Sequence, residues 1–256
     1  MNPIAIANRL EPFVDDHLIA QLNGLTHQVQ RPISQEVSIV HDEPWEGNTC
    51  GYHTVFQDGD IYRMYYRGSH HDGETTKTPH EVTCYAESSD GMTWTKPNLN
   101  LYEFNGSKNN NIVWVETGAH DFSPFKDPNP DAPPEAQYKA LARGEGGLHA
   151  FQSPDGIHWL RMTDHAVITE GKFDSQNLAF WDNEKKCYVD YHRGFRPVGD
   201  QKVRDILTCT STDFLNWTDP SYITQVGAPV EQLYTNQIIP YFRAPHIYFG
   251  FPMRFV

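Results

Sequence analysis

The sequence is poor in cysteine, and its cysteines do not pair in any motif. Cys50, Cys84, Cys187 and Cys209 stand far apart among 256 residues and form no CxxC unit. That spacing argues against a zinc ribbon and for four buried free thiols. Positive charge is also scarce: 20 Lys and Arg stand against 33 Asp and Glu, for a net charge of -13. Such a surface repels phosphate backbones, so nucleic acid is not an expected partner, whereas a neutral sugar meets no such penalty. No run approaches the roughly 18 apolar residues of a membrane span, so no membrane partner is expected either. Met1 to Leu10 lack a basic region followed by an apolar core. No signal peptide is therefore read there, and a cytoplasmic location is the default, with secretion following if a leader was trimmed. Hydrophobic residues are few at 38%, but aromatics reach 13%, and 18 Gly and 18 Pro are spread along the chain. This composition suits short strands and frequent turns better than helices.

What is present is a repeat. Ser88-Ser89-Asp90-Gly91-Met92-Thr93-Trp94, Ser153-Pro154-Asp155-Gly156-Ile157-His158-Trp159 and Ser211-Thr212-Asp213-Phe214-Leu215-Asn216-Trp217 share one pattern, with tryptophans 65 and 58 residues apart. A unit of that size signals a repeat architecture. Each copy follows a strand-like run, and Asp-Gly favours a hairpin turn, so each motif reads as a hairpin joining the two outer strands of a sheet. Tyr52–Phe56, Asn111–Trp114 and Leu178–Trp181 are the expected innermost strands, each followed by a second inner strand. Two inner and two outer strands make a four-stranded propeller blade. A fourth unit begins at Gln237–Tyr241 and His246–Phe249. The expected fold is all-β, a five-bladed β-propeller of which about three and a half blades are present. Residues 41–256 form the propeller, and residues 1–40 an N-terminal segment placed to close the ring. The expectation is that the ring is incomplete, so that its open ends are exposed to pairing with a second copy.

The hairpins, the strand Tyr62-Arg63-Met64-Tyr65-Tyr66 and acidic residues near strand starts resemble the invertase, levansucrase and arabinanase superfamily of five-bladed glycoside hydrolases, of family 32-like or family 43-like type. The resemblance covers roughly residues 40 to 256. It implies three carboxylates around a central cavity, because glycosidic cleavage uses a proton donor, a nucleophile or base, and charge that favours an oxocarbenium-like transition state. Phe125-Lys126-Asp127-Pro128 is similar to the family's Arg-Asp-Pro stabiliser motif, with Lys in place of Arg. Asp174 stands where the family's general-acid motif falls, and Glu46, in Pro44-Trp45-Glu46-Gly47-Asn48, is the nearest first-blade substitute for the nucleophile, with Asp42 and Glu43 competing. Each has a plain alternative: a turn Asp in a Pro-rich stretch, a strand-capping Asp and a solvated loop carboxylate. Trp45, His53, Arg67, His70, His71, Arg243 and Glu231 are the candidate substrate contacts. Only His70 and His71 are adjacent among 13 histidines, and neighbours on a strand point to opposite faces, so no metal site is read. No cofactor is expected, although the fold has room for calcium in its axial channel. The implied activity is hydrolysis of a glycosidic bond in an oligo- or polysaccharide. A carbohydrate-binding propeller without catalysis and a glycoside phosphorylase are the alternatives, and a shortened chain could be an inactive form.

Overall fold

The computed structural model describes residues 3–71 and 80–256. Its regular structure is almost entirely antiparallel strand, with a single short 3-10 turn at Pro134–Ala136. Three four-stranded sheets follow one another as meanders. The first is β1 (Gly51–Asp58), β2 (Ile61–Ser69), β3 (Glu81–Ser88) and β4 (Ile112–Trp114). The second is β5 (Ser123–Lys126), β6 (Tyr138–Gly144), β7 (Gly147–Ser153) and β8 (Leu160–Arg161). The third is β9 (Leu178–Asp182), β10 (Cys187–Val198), β11 (Gln201–Ser211) and β12 (Ser221–Tyr222). A two-stranded sheet, β13 (Ile239–Tyr241) with β14 (Ala244–Phe249), comes last. The first strands of successive sheets face one another: β1 neighbours β5, and β5 neighbours β9. These are propeller blades around an axis, three of them four-stranded.

The second blade begins later than the sequence suggests. Ile112–Trp114 is not its innermost strand but the outermost strand of the first blade, paired with β3 at Thr83 and Cys84. All three of its residues are buried, because Val113 and Trp114 pack between blades against Phe122 and Phe151. Apolarity here reports the inter-blade core. The true innermost strand, β5, reads Ser-Pro-Phe-Lys. A proline is tolerated there because the innermost strand is a sheet edge, and Pro240 in β13 occupies the same kind of edge.

The repeated hairpins close each blade by one mechanism. Ser88 Oγ accepts the Gly91 N–H at 2.9 Å, while Asp90 Oδ1 accepts the Met92 and Thr93 N–H groups at 2.8 Å each. Ser153 with Asp155, and Ser211 with Asp213, repeat these bonds. Gly156 is required in its copy: its φ is +78°, and a Cβ would lie 2.8 Å from the Tyr65 hydroxyl of the neighbouring blade.

A second repeat joins the blades. Asp58, Asp127 and Asp182 lie at or just past the ends of the three innermost strands. Asp58 accepts a hydrogen bond from Tyr138 OH at 2.6 Å, Asp127 from Tyr188 OH at 2.7 Å, and Asp182 from Tyr248 OH. In each case the tyrosine belongs to the second strand of the next sheet. A cation attends each carboxylate: Arg63 and Lys126 at Asp58, Lys139 at Asp127, Lys185 at Asp182. Removing one hydroxyl by Tyr188→Phe is expected to cost about 1.5–3 kcal/mol, the usual worth of a hydrogen bond to a charged group. Urea unfolding of the variant measures this, and an unchanged midpoint would mean the latch carries no stability.

Residues before β1 form no strand among those described. This segment nonetheless touches both flanking sheets. Glu11 pairs with His246 of β14 at 3.0 Å, and the Val40 carbonyl accepts from Lys96 beyond the first hairpin at 2.6 Å.

Candidate active site

The innermost strands have two unlike ends. At the turn end lie Asp58, Asp127 and Asp182 with their tyrosine latches. At the opposite, opening end, the residues that lead into β1, β9 and β13 meet across the axis. Gln176, just before β9, donates to Thr54 Oγ1 of β1 at 2.8 Å and accepts from Gln237, just before β13. Tyr52 OH donates to the Asp174 carbonyl at 3.3 Å. A cleft of about 390 Å³ runs here between Tyr52, His53, Gln176, Tyr234 and Gln237.

Three carboxyl groups gather at this opening end. Asp121 precedes β5 and is fully buried. Its Oδ1 accepts the Arg143 N–H at 2.9 Å, and its Oδ2 accepts from Asn177 Nδ2 at 2.5 Å. Burial drives its pKa well above the ordinary carboxylate range, against the partial relief of the Arg143 bond. Asp174 precedes β9, and its side chain is 54% exposed. Burial tends to raise its pKa, but the hydrogen bond and charge of Arg193 outweigh that and hold it low. Glu81, at the start of β3, pairs with His120 Nδ1 at 2.8 Å. Its pKa is likewise lowered against burial, by His120 and by the charges of Arg67 and Arg143. The loop 174–177 thus links a carboxyl held toward its protonated form to one held ionised, because Asn177 grips Asp121 three residues after Asp174.

Three guanidinium groups surround these acids. Arg67 lies over the Tyr52 ring at 4.8 Å and donates to the Thr49 carbonyl at 3.0 Å, while its buried Nε has no partner. Arg193 lies over Tyr234 at 4.9 Å, bonds Asp174, and also leaves its Nε unpartnered. Arg143 is exposed, and its charge acts on all three acids.

The structure brings some of the sequence candidates to this end and leaves others away from it. Asp174, Arg67 and His53 are here. Asp127 is not. Its side chain is fully buried at the turn end, tied to Lys139 and Tyr188. Tyr188 and Arg193 lie five residues apart on β10, so the partners of Asp127 and Asp174 are separated by roughly 17 Å of strand. The expectation that Asp127 and Asp174 share one cavity does not hold, because Asp127, singled out for its likeness to an Arg-Asp-Pro motif, follows the far end of β5 (Ser123–Lys126), whereas Asp174 precedes the start of β9 (Leu178–Asp182). A larger cleft, about 630 Å³, lies beside Asn129, Lys139, Trp181 and Tyr188 at that far end, but Asp127 sits behind Lys139 and Tyr188.

Glu46 is near the opening end but closed off, with its side chain fully buried. It accepts from Tyr66 OH at 2.5 Å, Lys96 Nζ at 2.8 Å and the Glu43 N–H at 2.9 Å, and contacts His41 Nδ1 at 3.3 Å. Burial would raise its pKa, but these bonds bring it to about 2 from 4.5. A lowered folded pKa contributes stability that is present above about pH 4.5 and is lost as pH falls toward about 2. By proton linkage that is on the order of 3 kcal/mol. Glu46→Gln should flatten the acid limb of the stability curve, and an unaltered limb in acid-titrated unfolding would contradict this.

The remaining candidates have other surroundings. Trp45 donates to Asn111 Oδ1 at 2.6 Å inside the first blade. His70 and His71 are exposed beyond β2, where the His71 backbone exchanges two 2.8 Å bonds with Asn48. Arg243 lies at the β13–β14 turn, over Phe242. Glu231 pairs with Arg254 at 3.0 Å. The sequence reading missed Asp121, Glu81, His120, Arg143 and Arg193. Asp121 had a usable signal, since it directly precedes the proline-containing edge strand; Glu81 and Arg193 lie at strand ends that only the register reveals. Among the described residues, Asp190, His192 and Cys209 form the one cluster with metal-ligand spacing. His192 Nδ1 contacts Asp190 directly, and Nε2 bonds the Glu170 carbonyl at 2.9 Å, so both ring nitrogens are engaged within the protein.

No protein-family model matches the chain, and no curated protein matches it. Solved structures do resemble it. A glycosyl hydrolase from Bacteroides ovatus is 16% identical with a TM-score of 0.43, over 67% of this chain and 50% of that one. An N-acetylgalactosamine deacetylase from F. plautii, in complex with blood group B trisaccharide, is 15% identical with a TM-score of 0.49, over 76% and 60%. A fructofuranosidase from Schwanniomyces occidentalis, complexed with fructosylnystose, is 13% identical with a TM-score of 0.49, over 75% and 37%. The chain spans 50–62% of the length of the first four such structures.

Proposed function

We propose that this chain acts on carbohydrate and cleaves a glycosidic bond at the opening end of its innermost strands. One observation carries the reading: Asp121 and Asp174 lie at the same end of adjacent innermost strands, joined through Asn177, and their surroundings drive their protonation in opposite directions. Glycosidic cleavage needs that division of labour, one carboxyl carrying a proton and another carrying charge. Asp174, exposed and held ionised by Arg193, has the role of nucleophile or base. Asp121 has the role of proton store. Because it is closed off beneath the Arg143 backbone, delivery of its proton requires that segment to shift. Glu81, with His120, supplies the second fixed negative charge that favours an oxocarbenium-like transition state. Tyr52 and Tyr234 offer ring faces for a sugar, and His53 and Gln176 offer hydrogen bonds to hydroxyls.

A screen of aryl glycosides and of plant and algal oligosaccharides, with and without inorganic phosphate, tests this reading. Product formation without phosphate supports hydrolysis, strict phosphate dependence supports phosphorolysis, and binding without turnover supports a carbohydrate-binding role. On an accepted substrate the rate should follow a bell-shaped pH profile. Its acid limb should fall below the ordinary aspartate range, since Asp174 must lose its proton. Its alkaline limb should lie above that range, since Asp121 must keep one. An Asp174→Asn variant whose residual rate keeps the same acid limb would show that another group titrates there.

A further inference from the structure

The third blade gathers three metal-ligating side chains around one point. Asp190 and Cys209 are register partners on β10 and β11, and His192 follows Asp190 by two residues, so all three project from one face of the sheet. Asp190 and His192 are 0% exposed by side chain, and Cys209 is buried. Cys209 Sγ lies 3.5 Å from Asp190 Oδ1, and His192 Nδ1 touches the same oxygen. One ligand atom from each residue lies within 4.8 Å of the other two. The Glu170 carbonyl fixes the tautomer of His192, because a carbonyl only accepts and Nε2 must therefore carry the proton. Gly171 lets that backbone come close: a Cβ there would lie 2.6 Å from His192 Cδ2. Nδ1 of the neutral ring is then a lone pair turned on a carboxylate oxygen. Such a contact holds only with a cation at it, either a second proton or a metal ion. Asp190 Oδ2, also buried, has no hydrogen-bond partner among the described residues. A proton shared with Nδ1 would leave that oxygen unsatisfied and the Cys209 sulfur without a role.

We infer that Asp190, His192 and Cys209 bind one zinc ion, with water in the fourth position. A carboxylate oxygen, an imidazole nitrogen and a thiolate sulfur form a donor set for zinc, and one too soft for calcium or magnesium. Zinc bonds of about 2.0 Å to oxygen and about 2.3 Å to sulfur set those two atoms about 3.5 Å apart at the tetrahedral angle. Asp190 Oδ1 and Cys209 Sγ have that separation. The ion enters where Nδ1 and Oδ1 touch, as the imidazole draws back. One carboxylate and one thiolate balance its two charges, so the filled site is neutral inside the protein. A backbone carbonyl on the far ring nitrogen is the usual outer support of a ligating histidine. The ion steadies the approach to β9. Phe173 packs on the His192 ring with centroids 5.2 Å apart, the Lys172 N–H bonds the Arg193 carbonyl at 2.7 Å, and Arg193 pairs with Asp174. The site stands apart from the carbohydrate reading and does not depend on it.

The test is the metal content and stability of the whole chain, expressed with zinc or cobalt in the medium so that the ion is present as the chain folds. Zinc should co-purify at close to one equivalent per chain. The cobalt protein should show thiolate-to-metal charge transfer in the near ultraviolet, with the strong visible bands of a four-coordinate ion. Relative to protein cleared of metal by chelation, zinc at about a hundredfold excess over its dissociation constant should raise the melting temperature by on the order of 5–10 °C. Calcium should leave it unmoved. Cys209→Ser should weaken zinc binding at least about tenfold and abolish the charge-transfer band, whereas Cys187→Ser, at a half-buried thiol outside the cluster, should retain both. Where Cys209→Ser fails to fold, the wild-type cobalt spectrum decides. A protein that takes up no zinc, or gains no stability from it, would overturn the inference and leave a proton between Asp190 and His192. A cobalt spectrum without the thiolate band, or a folded Cys209→Ser protein with undiminished zinc affinity, would overturn it equally.

Discussion

Asp174→Asn is expected to lower turnover at least about 10²-fold on any glycoside the chain accepts, the usual cost of removing one preorganised charged group at a reacting centre. The change keeps shape and hydrogen-bonding capacity, so Arg193 retains an acceptor. The Asp174 side chain is 54% exposed, and a half-exposed ion pair contributes little to stability. The thermal midpoint should therefore stay nearly constant while the rate collapses. Steady-state kinetics beside a melting curve separate the two effects. A loss of rate matched by a loss of folded protein would mean that Asp174 is structural.

Asp127→Ala should do the opposite. Lys139 is 3% exposed and Asp127 fully buried by side chain, so the substitution strands an ammonium group inside the protein with only the Ala136 carbonyl, 3.0 Å away, as its remaining acceptor. Breaking a buried pair from one side costs about 3–5 kcal/mol. In a domain of this size that lowers the melting temperature by on the order of 10 °C. Turnover per folded molecule, measured well below the transition, should remain close to wild type. Truncating both partners, as Asp127→Leu with Lys139→Met, should recover part of the loss, because no charge is then left unpaired. A stable Asp127→Ala protein that has lost its activity would place Asp127 in the chemistry after all.

The blade pattern was legible because it is local. The Ser-x-Asp turns close on their own backbone amides within three residues, so three copies could be counted from sequence and are found as three repeated hairpins. The phase of the second blade was not legible from the same signals. Ile112-Val113-Trp114 is apolar because it lies between blades, whereas the true innermost strand is short, contains Pro124 and borders the axis. Asp127 stands out for its likeness to an Arg-Asp-Pro motif, but it follows the far end of that strand, whereas Asp121 precedes its start, so the two acids lie at opposite ends of the strand. Asp174 lies at the opening end because Leu178–Asp182 coincides with the strand expected there. Glu81, Arg143 and Arg193 became visible only once the register of β2 with β3 and of β10 with β11 had placed their strand ends at one opening. Such proximity is long-range and leaves no trace in spacing along the chain.

The most direct measurement of the central claim is chemical rescue with azide. Asp174→Ala leaves a gap where the ionised carboxylate stood, and a small anionic nucleophile can enter it from the open side. With an aryl glycoside carrying a good leaving group, azide should restore turnover to Asp174→Ala and yield a glycosyl azide of inverted configuration, and the wild-type product, retained or inverted, reports whether Asp174 serves as nucleophile or base. Asp127→Ala, assayed under the same conditions below its melting transition, should be active without azide and indifferent to it. An Asp174→Ala protein that turns over normally, together with azide rescue of an inactive Asp127→Ala, would move the reacting centre to the turn end of the strands and contradict the account.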